Sequence, residues 1–257
     1  MIDSGLSAVV ICQNSEVHLR QCLESLVQVS DDIIVVDHYS EDHSVGIAKE
    51  FDCRVFSKKW TGYSSGKNYG NAKAKYDWIL SVDSDEELSD ELIRTINTIH
   101  PDDPKVSYAV NRLSCFCGHW VKYGAWYPDR HIRLFNRMEI SWNPELVHET
   151  LSMPDTCQTH QLKGHLLHYA VDSLEQHKLK VEQYARLGAQ KMFQAGRKAS
   201  QLTQFLNPPF RIFIDYFVRR GFLDGKAGWH IARLTAREKW LKYKQLRQLY
   251  KNTQPNN

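Results

Sequence analysis

The stretch Trp78-Ile79-Leu80-Ser81-Val82-Asp83-Ser84-Asp85-Glu86-Glu87 decides how the rest of the sequence is interpreted. Its apolar run ends abruptly in acidic residues, which is typical of a buried parallel strand that delivers carboxylates to the carboxyl edge of a sheet. Asp83 and Asp85 converge there only if the chain bends after Val82, and a helix signal soon follows. Such a pair suits Mg²⁺ or Mn²⁺ carrying a diphosphate, because these ions prefer oxygen ligands. The alternative is an acidic helix N-terminus, which the helix dipole favours.

The first residues predict a strand, a helix and a second strand in βαβ order. Residues 6–12 form an apolar run, helix-spaced apolar residues follow from Leu19 to Leu26, and residues 32–37 form a second run that ends in Asp37. Such a unit has parallel strands and a right-handed crossover, and because parallel strands end at the same edge, Asp37 should lie at the same sheet edge as Asp83. Two interpretations of Asp37 remain open: a hydrogen bond to a nucleotide's base or ribose, or a cap on a helix over residues 45–50.

Polar segments farther along the chain offer more candidate ligands. A loop rich in glycine and hydroxyl groups precedes a helical segment and contains Lys67, a pattern that predicts an anion cradle. Around Arg133, arginines alternate with apolar residues, so this guanidinium faces either a phosphate or solvent. His148 and Glu149 lie side by side after another apolar run, where the imidazole would complete a metal shell and the carboxylate would accept a proton. Surface positions are the alternative for this pair.

The charge distribution divides the chain. Residues 1–173 hold 16 Lys and Arg against 25 Asp and Glu, a net charge of −9, whereas residues 174–257 have a net charge of +12. A tail this basic favours binding to an anionic membrane or to nucleic acid. We expect the acidic sheet edge to oppose nucleic acid. With six cysteines outside any disulfide-like pattern and no signal-peptide pattern, we expect a reducing, cytoplasmic setting.

The basic part is predicted to be helical. A capping box at residues 173–176 opens a long helix, Pro208 and Pro209 are expected to break the chain, and Phe210, Phe213 and Phe217 then share one face. This stripe either lies in a membrane interface or packs on the first domain. We therefore predict a first domain over residues 1–172, with a nucleotide-sugar-binding half (1–104) and an acceptor-side half (105–172). A helical, membrane-associating region over 173–257 follows.

The motifs together have a familiar order, from Gln13-Asn14 through Asp37, Gly66-Lys67-Asn68 and the acidic stretch to Arg133-Leu134-Phe135 and His148-Glu149. In this order the chain resembles glycosyltransferase family 2, and within it the short bacterial enzymes similar to lipopolysaccharide core β-1,4-glucosyltransferases. The resemblance implies a GT-A fold, an α/β architecture with a mostly parallel, Rossmann-like sheet flanked by helices. Two positions depart from the usual residues: Ser15 replaces a glutamate and Ser84 an alanine.

The resemblance also implies roles for individual residues. Asp85, with help from His148, would bind Mg²⁺ or Mn²⁺, and Glu149 would be the general base of an inverting transfer. The donor would be a nucleotide diphosphate sugar, UDP-glucose in this subgroup. The residues expected to contact the donor are Gln13, Asn14, Asp37, Lys67, Asn68, Asp83, Ser84 and Arg133.

The expected acceptor is a lipid-linked core sugar such as heptose, presented at the inner face of the cytoplasmic membrane. Another cell-surface polysaccharide or glycolipid is the alternative acceptor. Two other classes of protein stay in view. A nucleotidyltransferase shares the parallel sheet but commonly needs a glycine-rich basic loop after its first strand, which Gln13-Asn14-Ser15 does not provide. A noncatalytic membrane-surface module would use the basic tail alone.

Overall fold

The computed structural model describes residues 5–143 and 150–253 of the chain. Their contacts divide into two units. Unit 1 comprises the described residues of Met1–Arg112 and Asp129–Tyr169, and unit 2 comprises those of Leu113–Pro128 and Ala170–Asn257. This division differs from the predicted boundary at residue 172, because a segment of sixteen residues in the first part of the chain belongs to the helical unit.

Unit 1 is built on a mixed sheet with helices around it. The strands of the described chain are β1 (Ser7–Cys12), β2 (Asp32–Asp37), β3 (Arg54–Ser57), β4 (Trp78–Asp83), β5 (Glu86–Leu88), β6 (Val106–Phe116), β7 (His119–Trp120), β8 (Asp129–Asn136), β9 (Ser141–Trp142), β10 (Leu151–Ser152) and β11 (Gln158–Val171), of which β7 lies wholly in unit 2. Strands β6 and β11 each have residues in both units. The first four helices are α1 (Leu19–Leu26), α2 (Ser44–Glu50), α3 (Tyr63–Lys73) and α4 (Asp90–Asn97).

The main sheet runs in the order β3-β2-β1-β4-β8-β6-β11-β5, with β7 paired to β6. Strands β3, β2, β1 and β4 are parallel. Strand β8 is antiparallel to both β4 and β6, and β11 is antiparallel to β5. The predicted α/β class is confirmed, and the sheet is mixed: its first four strands are parallel, whereas β8 is antiparallel to both of its neighbours. Side chains along β1 and β2 are buried throughout, as expected for strands covered on both faces.

Helix α1 shows how the sequence pattern forms this core. Its apolar residues at helical spacing, from Leu19 to Leu26, are all buried against the sheet. Helix α4 begins at a Ser89 side chain that accepts a hydrogen bond from the Leu92 N–H, and its apolar face joins the same core. A second cluster, which includes Ile79 and Phe135, contains side chains from alternate positions of the same strands.

Unit 2 contains three long helices. They are α5 (Leu174–Gln194), α6 (Gln201–Ile212) and α7 (Gly225–Thr253). The predicted break at Pro208 and Pro209 is wrong: both lie inside α6, which continues to Ile212. The two missing N–H donors weaken the hydrogen-bond ladder there without ending the helix. A π-helical turn over Phe213–Val218 follows. Among the described residues, no helix is both long and apolar enough to cross a lipid bilayer.

Candidate active site

The parallel strands bring two acidic residues to one sheet edge. In the register of the sheet, Cys12 on β1 lies beside Asp37 on β2, and Ile11 lies beside Asp83 on β4. Asp37 and Asp83 therefore end the two strands that flank β1, as the sequence predicts. The chain bends directly after Asp83, and residues 84 and 85 form the turn into β5.

The two aspartates of the acidic stretch have different environments. Asp83 lies between two cations: Lys67 Nζ is 2.9 Å from its Oδ1 and Arg133 Nη2 is 3.0 Å from its Oδ2. Burial opposes ionisation, but both positive charges and their hydrogen bonds outweigh it and hold the pKa of the Asp83 carboxyl well below its usual range. Asp85 has a more exposed side chain, at 44% against 27% for Asp83. Asp85 is therefore the member of the pair that is more accessible to a ligand.

Arg133 is a buried counter-ion. Its Nη2 contacts Asp83 and also lies 2.5 Å from Glu86 Oε1, and the residue is only 4% exposed. Glu86 in turn accepts the Asp83 backbone N–H at 2.9 Å. Burial raises the pKa of the Glu86 carboxyl, against the opposing charge of Arg133. The alternative of a solvated surface position for Arg133 is wrong, because its buried guanidinium bridges two carboxylates. The phosphate contact stays a prediction.

The ion pairs continue along the sheet. Arg112 Nη1 lies 3.7 Å from Glu86, and its Nη2 lies 2.8 Å from Asp129, which also pairs with His131 at 2.9 Å. Burial opposes the ionisation of the Asp129 carboxyl, but His131 and Arg112 outweigh this effect and lower its pKa to about 2. The acidic sheet edge is thus held in place by a continuous set of alternating charges.

The segment predicted as an anion cradle has a packing role. Helix α3 already begins at Tyr63, so Lys67 lies inside the helix, and its buried ammonium sits 4.5 Å from the centre of the Trp142 ring. The two glycines of α3 allow close packing: a Cβ at Gly66 would lie 2.8 Å from His38 Nε2, and one at Gly70 would lie 2.4 Å from a Val9 methyl. These glycines bring the helix close enough to the sheet for Lys67 to reach Asp83.

Asn68 also acts within the protein. Its side-chain nitrogen donates to the Trp142 carbonyl at 2.7 Å, and its oxygen accepts the Trp142 N–H at 3.0 Å. Both ends of the amide therefore hold the end of β9. His148 and Glu149 lie outside the described residues. On either side of them, the Asn143 N–H donates to the Thr150 carbonyl at 2.8 Å.

The loop after β1 is tied to the loop after β2. Asn14 has a left-handed backbone, its N–H donates to Ser40 Oγ at 2.9 Å, and its side-chain oxygen accepts the Glu41 N–H. Asp37 accepts the Ser40 N–H at 3.2 and 3.3 Å. The alternative of Asp37 as a cap on the following helix is wrong, since α2 has no side-chain cap. Gln13, next to Asn14, is exposed at this edge.

The two departures from the family pattern contact each other. The Ser15 and Ser84 hydroxyl oxygens are 2.8 Å apart, which joins the loop after β1 to the turn of the acidic stretch. The donor contact of Ser84 stays a prediction, and its pairing with Ser15 is a contact that the sequence analysis did not foresee.

His168 lies beside Asp85. Its Nε2 is 3.5 Å from Asp85 Oδ2, and the Asp85 carbonyl accepts the N–H of Tyr169 at 2.9 Å. Tyr169 also donates to Glu87 and stacks on His18 with ring centres 4.6 Å apart, which fixes this end of β11. The sequence shows His168 in a strand-like run, but only the antiparallel pairing of β11 with β5 reveals that it reaches the acidic turn.

The protein provides only some of the ligands that a divalent ion such as Mn²⁺ or Mg²⁺ needs. Asp85 and His168 provide two adjacent donors, and phosphate oxygens and water are the usual remaining ligands. Within residues 5–143 and 150–253, no cluster of three or more His, Cys, Asp or Glu side chains is arranged to hold a metal. The predicted contribution of His148 lies outside those residues.

Comparison with known proteins identifies the family. Residues 7–153 match the model described as Glycosyl transferase family 2, which is more than half of the chain. The chain therefore belongs to glycosyltransferase family 2, and the resemblance seen in its motifs is confirmed, together with the GT-A class of fold.

Individual relatives align along most of their length. The chain is 28% identical over 255 residues to an uncharacterized glycosyltransferase of Rickettsia typhi, covering 95% of this chain and 87% of the relative. It is 26% identical over 246 residues to the lipopolysaccharide core biosynthesis glycosyltransferase LpsC of Rhizobium meliloti, covering 90% of each. Among solved structures, S. aureus TarS 1-349 in complex with UDP-GlcNAc aligns with a TM-score of 0.46 and 14% identity, covering 98% of this chain and 93% of that one.

Proposed function

We propose that this chain is an inverting glycosyltransferase that transfers glucose from UDP-glucose to a core sugar of a lipopolysaccharide or lipooligosaccharide, with heptose as the acceptor sugar. Family membership supports the reaction class, and the similarity to LpsC supports the class of acceptor. The assignment of the site rests on one observation: the two aspartates of the acidic stretch have different environments. Asp83 is neutralised by Lys67 and Arg133, while Asp85 stays accessible beside His168.

In the proposed mechanism, the acceptor hydroxyl attacks the anomeric carbon from the face opposite the diphosphate. The new C–O bond forms as the bond from the anomeric carbon to the phosphate oxygen breaks, and the hydroxyl proton passes to the Glu149 carboxylate. Asp85 and His168 would hold the divalent ion, which when bound stabilises the negative charge that develops on the diphosphate. Glu149 is assigned as the base because the resemblance of the motif order to the family implies that role.

The donor-side roles follow the same geometry. Gln13 and Asn14 lie in the loop after β1, next to Asp37 at the end of β2, where the base and ribose would bind. Ser84 lies at the turn where the diphosphate would bind. Lys67 and Arg133 act through Asp83, which they orient and keep ionised. We place the reaction at the inner face of the cytoplasmic membrane, where the net charge of +12 on residues 174–257 would favour anionic lipids.

Thermal stability in the presence of nucleotide sugars tests this function. A ligand that binds only the folded state raises the melting temperature by mass action. UDP-glucose with Mn²⁺ should raise the melting temperature of the wild type by several degrees, and each component alone should raise it less. Asp85→Asn should lose the added effect of the metal, whereas the control Asp102→Asn, at an exposed position, should keep it.

Two results would contradict the proposal. The first is the absence of any shift with a panel of nucleotide sugars and either metal, which would argue against donor binding. The second is a metal-dependent shift that Asp85→Asn leaves intact, which would remove Asp85 from the metal site.

A further inference from the structure

Helix α6 and the π-helical turn after it expose a row of large apolar side chains. The row follows helical spacing on one side of the segment. We call it the apolar face: Leu202 (67% exposed), Phe205 (61%), Leu206 (58%), Phe210 (63%), Phe213 (52%) and Phe217 (56%). Single exposed apolar residues are ordinary on protein surfaces, but a contiguous row of six marks an interaction surface.

The opposite side of α6 already has a partner within unit 2. Gln204 and Pro208 are buried, and the Gln204 side-chain oxygen accepts a hydrogen bond of 2.7 Å from Arg247 on α7. The helix is thus fixed to α7 by its more polar side, with the aromatic side outward. This orientation reverses what burial of apolar area would favour in an isolated unit.

The charged residues around the apolar face are mainly positive. Residues 196–253 contain 13 Lys and Arg but only three acidic residues, namely Asp215, Asp224 and Glu238. Asp215 is 1% exposed and paired with Arg211 and Arg219, and Asp224 is 6% exposed and accepts the backbone N–H groups of Lys122 and Tyr123. Two of the three negative charges are therefore used inside the unit, and the surface presents mainly cations.

We propose that the apolar face lies in the interfacial region of an anionic lipid bilayer, with α6 parallel to the membrane surface. A bilayer with an apolar interior and an anionic surface complements both features. A second copy of this chain would bring a like-charged rim, and a nucleic acid would leave the leucines without apolar contact. The inference deepens the membrane location within the proposed function and rests on that function for its biological purpose.

Co-sedimentation with lipid vesicles, without nucleotide or acceptor, tests the surface directly. The protein should bind vesicles of phosphatidylglycerol and phosphatidylcholine at low salt, and much less to phosphatidylcholine alone or at high salt. The double variant Phe205→Ser/Phe210→Ser should weaken this binding at least about tenfold, since it removes two aromatic side chains from the interface. The matched control, Leu179→Ser/Tyr184→Ser, removes exposed apolar groups from α5 and should bind within about twofold of the wild type.

Several outcomes would overturn the proposal. Equal binding to neutral and anionic vesicles would remove the role of charge, and unchanged binding of the double variant would remove the role of the apolar face. A concentration-dependent dimer that the double variant abolishes would assign the face to a second copy. Circular dichroism melting should show that both double variants are folded. Because the assay contains no sugar, its failure would leave the donor-binding test of the proposed function intact.

Discussion

At the scale of single residues, the site depends on how its buried charges balance. The Asp83 backbone N–H donates to Glu86, and Arg133 contacts both carboxylates. Lys67 adds a second positive charge beside Asp83. The sequence places Asp83 correctly because the apolar run before it is unambiguous. It does not place Arg133, because alternation along a strand says which face a side chain is on but not which charges it meets there.

Arg133→Met tests this balance. Removing the guanidinium leaves the Glu86 carboxylate without its closest partner in a buried position, which should lower the free energy of unfolding by about 3–5 kcal/mol. Arg130→Met removes an exposed arginine from the same strand and should change it by less than about 0.5 kcal/mol. Urea denaturation of both variants measures the difference. Equal stability of the two would show that Arg133 is not the counter-ion of this pair.

The Asp129 carboxyl makes the stability of the folded protein depend on pH. Its pKa of about 2 lies below the value of an unfolded chain, so its stabilising contribution is complete above about pH 4 and is lost as pH falls toward 2. The wild type should therefore be more stable than Asp129→Asn at pH 5, by about 1 kcal/mol after allowance for solvent screening. This difference should shrink between pH 4 and pH 2. A difference that stays constant over that range would contradict the lowered pKa.

At the scale of elements, the order of strands and helices in the first hundred residues follows from the sequence. Apolar runs of strand length alternate with helix-spaced residues, and both patterns appear in the structure as expected. The later strands are harder to predict because their partners are antiparallel and distant in the chain. His168 meets Asp85 only because β11 pairs with β5, a contact across more than eighty residues that no local pattern encodes.

The close packing of α3 against the sheet can be tested by replacing one of its glycines. In Gly70→Ala the new methyl would meet Val9 and Val36 on two strands, at 2.4 and 3.0 Å, so the helix must move away from the sheet. We expect a loss of about 1–3 kcal/mol in the free energy of unfolding. The control is Gly46→Ala in α2, where nothing lies within 4 Å and the change should stabilise by up to about 1 kcal/mol. Chemical denaturation of both variants would show opposite signs, and the same sign would contradict this account of α3.

At the scale of the whole molecule, composition predicts two regions, and the contacts of the described residues form two units with different bounds. The change in charge near residue 173 coincides with the start of α5 at Leu174. It gives no sign that residues 113–128 belong to the same unit, because the bonds that hold them come from Asp224, about a hundred residues later. Non-local hydrogen bonds to backbone leave no periodic trace in a sequence.

In the proposed function, different parts of the chain have different roles. Asp85 and His168 would bind the donor through the metal, Glu149 would accept the proton, and the apolar face would keep the protein near its lipid-linked acceptor. These roles predict different losses when each is removed. Donor binding and sugar transfer are therefore the two quantities that must be measured side by side.

The most direct test compares these two quantities in Glu149→Gln. Calorimetric titration with UDP-glucose and Mn²⁺ should give wild-type affinity. Transfer of labelled glucose to core lipopolysaccharide that ends in heptose should fall by at least about 10²–10⁴-fold, because the acceptor hydroxyl loses its base. Glu24→Gln, at an exposed position on α1, should keep both. Transfer at the wild-type rate by Glu149→Gln, or equal loss of binding and transfer, would contradict the central claim.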